Sequence, residues 1–142
     1  MTLNNLLKII KDYAEGHAQV HNYHFGDVWE YLQQGKVNHC SVLCTLNQVR
    51  FSISQSVCSF SIYVMDWVAN GESNEQEVLS DMLSICRDLH AKLRTDTLSI
   101  DVDEAPSLTP FVESFEDMLA GFKMDIDIAF DMELDRCAVP ID

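Results

Sequence analysis

Ten residues constrain this chain more than any others. Phe122, Met124, Ile126, Ile128 and Phe130 alternate with Lys123, Asp125, Asp127, Ala129 and Asp131. A period of two sustained over ten residues is a strand with one apolar face and one mostly acidic face. The stretch 109–115 precedes it, and 116–121 carries turn formers at both ends, with Gly121 placed where a positive φ is needed. The pattern predicts a β-hairpin over 109–131. From Asp96 to Asp142, thirteen acids stand against Lys123 and Arg136, so this part of the chain carries most of the net charge of −14. The face bearing Asp125, Asp127 and Asp131 repels phosphate.

At 142 residues and 47% hydrophobic content the chain fits one domain, 1–142, with ample material for a single core. It has no apolar run of membrane-spanning length, and 1–5 lacks the basic start and cleavage site of a signal peptide. A soluble, intracellular product without membrane contact is expected. Cys40, Cys44, Cys58, Cys86 and Cys137 are odd in number with no CxxC pair, which favours reduced, buried thiols over a disulfide framework. The acidic balance argues against specific nucleic-acid binding, which needs Lys and Arg against phosphate.

Leu3, Leu6, Leu7, Ile10, Tyr13 and Ala14 recur at spacings of three and four, predicting an amphipathic helix over 2–15 with Thr2 as N-cap and Gly16 past its end. Residues 16–24 read as a polar, histidine-rich loop. The stretch 25–69 reads as a β meander, with 42–46 as a central strand. Beyond it, 47–56 and 58–67 fit one long bent strand or the two sides of a hairpin. Ser73 and Gln76 form a capping box for a helix over 74–94, whose apolar stripe runs from Val78 to Leu93. Residues 97–102 read as a short strand, and a short tail follows the final hairpin. Strands gathered in runs point to an α+β fold, an antiparallel sheet with two main helices on one face.

Catalytic patterns are scarce. His17, His21 and His24, with Asp27 beyond, have metal-like spacing, but Gly16 ends the helix before them and no HExxH follows. Asp101, Asp103 and Glu104 with Asp125 and Asp127 lack the glycine and bidentate Glu of a calcium loop, and read as a solvated acidic face. His39 beside Cys40 is a poor dyad, because adjacent strand residues face opposite ways. Nucleophile elbows and phosphate-binding glycine loops are absent. No enzyme, cofactor or metal is expected. Tyr63, Met65 and Trp67 share one strand face and Phe111 and Phe115 another, stripes that suit a core or a subunit interface.

Several blocks carry a family resemblance: residues 3–13, 25–30, 64–68 followed by 72–75, 79–83, 108–111 and the ending 135–140. Over nearly the whole chain these resemble small structural proteins of tailed bacteriophages, especially those of Bacteroidetes-type hosts. The element order is similar to that of tail-terminator and tail-completion (neck) proteins. The resemblance implies a homo-oligomeric, hexameric ring that ends the tail tube and joins it to the head–tail connector. Its partners are then itself, the tail-tube protein and the connector, with DNA passing through without specific binding. Its location is the virion tail or neck, reached from the host cytoplasm during assembly. On this reading Asp125, Asp127 and Asp131 line the channel, and the loop carrying His17, His21 and Tyr23 meets the neighbouring subunit. Two alternatives stay open: a head-completion or neck adaptor bridging portal and tail, and an acidic non-virion interaction protein.

Overall fold

The computed structural model describes residues 3–26, 40–53, 55–67, 75–95, 100–114 and 118–131. Thr2, Asp27, His39, Ser73, Phe115 and Cys137, which figure in the expectations above, lie outside them.

Helix α1 spans Leu3–Glu15 and buries Leu6, Ile10 and Ala14, one residue per turn on one face. It stops where the Gly16 N–H bonds to the Asp12 carbonyl at 2.9 Å. Strand β1 (Asn22–Phe25) follows, then β2 (Ser41–Phe51), β3 (Gln55–Trp67), helix α2 (Glu75–Thr95), β4 (Ile100–Val102), β5 (Ser107–Ser114) and β6 (Met118–Asp131). Helix α2 buries Val78, Met82, Ile85, Cys86, Leu89 and Leu93, again on one face. Lys92 and Arg94 sit in its last turn, where the helix dipole favours cations.

The six strands form one sheet in the order β1-β2-β3-β6-β4, with β5 also on β6. All neighbours run antiparallel except β1 and β2, which are parallel. The sheet is therefore mixed rather than wholly antiparallel, and the fold is α+β. Residues 47–67 are a hairpin rather than one bent strand, closed where the Ser52 N–H meets the Gln55 carbonyl at 2.8 Å. Strand β2 continues from Ser41 through to Phe51, because a bulge between Leu46 and Gln48 absorbs the break in alternation that suggested two elements.

Strands β4 and β5 are two halves of one edge against β6. Val102 lies opposite Ile128, yet Ser107 lies opposite Asp125, so the register slips by two residues across 103–106. The kink is held from within. The Asp103 carboxylate accepts the Ala105 N–H at 3.1 Å, and its carbonyl accepts a hydrogen bond from His90 Nε2 of α2 at 2.7 Å.

Both helices cover the same face. Leu6, Ile10 and Ala14 of α1 and the apolar stripe of α2 join Val42, Cys44, Phe60, Ile62, Val64, Met124, Ile126, Ile128 and Phe130 in one core. On the opposite face Leu43, Met65 and Leu119 form a smaller buried cluster near one end, with Tyr63 and Phe111 against it in an edge-to-face contact of 6.1 Å.

Gly121 lies inside β6, opposite Met65, and not in a turn. Among the described residues the glycine with positive φ is Gly26, at 147°, where the chain leaves β1. Gly121 is needed for close approach instead: a Cβ there would stand 1.9 Å from the Val64 carbonyl oxygen, backbone that cannot swing away. Gly121→Ala is expected to cost about 2–3 kcal/mol, an overpacking penalty at the sheet's centre, read as a lower urea midpoint. An unchanged midpoint would contradict the close β3–β6 approach.

Candidate functional site

The helix-free face of the sheet is divided. Around Leu43, Met65 and Leu119 it is apolar and buried, whereas toward the other end it is acidic and open to solvent. The division follows from strand parity. On β6 the even residues from Met124 to Phe130 are buried, so Asp125, Asp127 and Asp131 fall on the helix-free face. Asp127 and Asp131 are exposed and Asp125 is half-buried.

Two of these carboxylates are tied to β3. Ser61 Oγ donates to Asp125 Oδ1 at 2.7 Å, and Ser59 Oγ donates to Asp127 Oδ1 at 2.6 Å. Each is a directly cross-strand pair. Asn47, at the β2 bulge, donates from Nδ2 to Ser61 Oγ at 2.6 Å, and Lys123 Nζ stands 3.8 Å from Asp125 Oδ1. Ser61 is 2% exposed, so its hydroxyl is satisfied on both sides, giving one bond and receiving another. The alternation of Ser59 and Ser61 on β3, matching that of Asp125 and Asp127 on β6, was the available signal for this ladder. It becomes readable only when the two strands are known to be neighbours.

The acidity extends past β6. Asp101, Asp103 and Glu104 border an open recess of about 370 Å³ together with Val57, Asp127 and Ala129. A second recess of about 450 Å³ adjoins it, reached by Asn47, Gln48, Ser59, Ser107 and Asp125. Among the described residues no group of three or more His, Cys, Asp or Glu is placed to hold a metal ion. The Ser–Asp pairs concentrate negative charge on this face.

His17 and His21 lie in the connection 16–21 between α1 and β1, whereas Tyr23 falls in β1. His17 is held within the chain: Nδ1 accepts the Gln19 N–H at 3.1 Å and Nε2 donates to Asp88 Oδ2 of α2 at 2.9 Å. Those two contacts fix the tautomer. His21 is exposed, and its backbone N–H bonds to the Cys40 carbonyl. Tyr23 belongs to β1, opposite Val42, and its hydroxyl is buried against the Cys44 thiol. Burial, then the Cys44 and Glu15 charges, drive the Tyr23 pKa upward. The polar stretch 16–24 thus ends in a strand.

Cys40, Cys44, Cys58 and Cys86 are free and buried. Cys40 Sγ donates to Met82 Sδ at 3.6 Å. Burial pushes the Cys40, Cys44 and Cys86 thiols up to about 12, with Asp66 and Asp81 adding to the effect at Cys40. The Tyr23 hydroxyl partly opposes it at Cys44. Burial also raises Cys58. Such thiols are poor nucleophiles.

No known protein-family model matches the chain, and no curated protein resembles it in sequence. No helix among the described residues is long and apolar enough to cross a membrane.

The thiols set an alkaline limit. Their pKa is higher folded than unfolded, so their contribution is whole below the unfolded value near 9 and is lost as pH rises toward 12. Urea midpoints are expected to fall progressively above about pH 9. In native protein at about pH 8, these four thiols should resist a soluble disulfide reagent that reacts with them after denaturation. Rapid native labelling of Cys44 or Cys86 would contradict their burial.

Proposed function

We propose that this chain is a virion structural protein of the tail-terminator type, a homo-oligomeric ring that ends a phage tail tube, joins it to the head–tail connector and lets DNA pass through its lumen. The observation that carries this reading is the one-sided sheet. Both helices lie on one face, and much of the other presents Asp101, Asp103, Asp125, Asp127 and Asp131. A wall lined with fixed carboxylates repels the phosphate backbone within a Debye length of about 8–10 Å, so DNA slides past without sticking. The serine ladder suits such a wall, because it holds Asp125 and Asp127 in place across two strands. The order of elements, similar to that of tail-terminator and tail-completion proteins, supports the same reading.

The test reverses charge where the fold uses it least. Asp125 is left intact because the buried Ser61 hydroxyl depends on it, whereas Asp127 and Asp131 are exposed. Asp127→Lys with Asp131→Lys is expected to change folding stability by about 1 kcal/mol or less and to assemble normally. Particles carrying it should eject DNA more slowly at low ionic strength, with added salt restoring the rate as screening weakens the attraction. Unaltered ejection at low salt from well-formed particles would sink the channel-lining role, and failure to assemble would place this face against a protein.

A further inference from the structure

Among the described residues two stretches of sheet edge stand open. Strand β1 covers β2 only along Ser41–Cys44, so among the described residues Gln48 to Phe51 are bordered by β3 alone. At the opposite side of the sheet, among the described residues, β4 borders β6 alone. The first edge is apolar where water meets it: Val49 is 44% exposed, Phe51 82%, and Ile53 at the hairpin tip 85%. Large exposed side chains on an open strand edge are a liability unless something pairs with them.

The register shows what fits. Three consecutive rows cross the sheet from one open edge to the other: Val49–Cys58–Ile128–Val102, Arg50–Val57–Ala129–Asp101 and Phe51–Ser56–Phe130–Ile100. The first and third end in apolar residues on the helix side at both edges. The middle row begins with a cation and ends with an anion, both exposed on the acidic side. Arg50 is the sole charged residue between Cys40 and Met65 and makes no ion pair among the described residues.

The backbone groups match as well. The Asp103 N–H turns inward to the Asp127 carbonyl, so by alternation Asp101 also points inward and Ile100 and Val102 point out. The Ser52 N–H turns inward to Gln55, so Arg50 points inward and Val49 and Phe51 point out. Strand order makes β4 antiparallel to β2.

We propose that a second copy of this chain binds edge to edge, its β4 pairing antiparallel with β2 in the register Val49 with Val102, Arg50 with Asp101 and Phe51 with Ile100. The two apolar pairs exchange backbone hydrogen bonds, and the non-hydrogen-bonded pair between them brings the guanidinium to the carboxylate. A recess of about 280 Å³ lined by Arg94, Ile100, Asp101, Val102 and Glu104 leaves room for the incoming strand. The contact is head-to-tail, because each copy uses one edge of each kind, and this is the geometry that builds rings or filaments. It is also short. Strand β1 of the receiving copy lies at the level of β5 of the incoming one, so the edges part beyond these rows, helped by the kink at 103–106 and by an inter-strand twist of about −20 to −25°.

This inference deepens the self-assembly reading and rests on it. The test is a disulfide, in a Cys137→Ser background, between Arg50→Cys and Asp101→Cys. Within one chain these positions are three strand spacings apart, about 14 Å, beyond disulfide reach. Mild oxidation is expected to give a reducible ladder extending past the dimer, whereas Arg50→Cys with Thr109→Cys gives none. A sedimenting oligomer with no ladder overturns the edge pairing and leaves the ring standing. A ladder from particles that form filaments instead of closed rings upholds the pairing and overturns the ring. A dimer cross-linked by Arg50→Cys alone overturns the head-to-tail register, and a monomer with no ladder overturns both.

Discussion

The pairing of β3 with β6 is the constraint on which the rest of the structure depends. It runs without a register shift from Gln55 opposite Asp131 to Trp67 opposite Leu119. A one-residue slip of β6 against β3 would turn Met124, Ile126 and Ile128 away from the helices and force Asp125 and Asp127 into the core, so the burial pattern fixes the register. Gly121 permits the strands to meet at the Val64 carbonyl. The Ser59–Asp127 and Ser61–Asp125 bonds then lock the other face. Core and acidic surface are two sides of one ladder.

Local periodicity made much of this legible. The alternation of 122–131 identified β6 and its acidic face, and the three-four spacing of apolar residues identified both helices. What it missed has physical reasons. Strand β1 has the sequence Asn-Tyr-His-Phe and is held by parallel pairing to residues 41–44, so its strand character lies in the backbone of a distant segment. The bulge at Leu46/Gln48 shifts the period in mid-strand, which made one strand read as two. Gly121 was placed in a turn because glycine is common there, whereas its role depends on a carbonyl more than fifty residues away.

The candidate site was legible in part. Asp125, Asp127 and Asp131 share the face expected of them, but their support by serines required knowing that β3 is their neighbour. His17 stands in the loop expected of it but is tied to α2 through Asp88, and Tyr23 belongs to β1 rather than to that loop. Arg50 is a single cation in a long neutral stretch, a pattern without local meaning. Its position gains meaning only from the cross-sheet row that ends in Asp101.

In the ring proposed above, the helices and the acidic sheet face lie on opposite sides of the wall. Cryo-electron microscopy of the purified full-length protein tests it most directly. The account predicts a closed ring with the helices on the outside and Asp125, Asp127 and Asp131 facing the lumen. A ring with α2 turned inward, or particles that remain monomeric at high concentration, would contradict it.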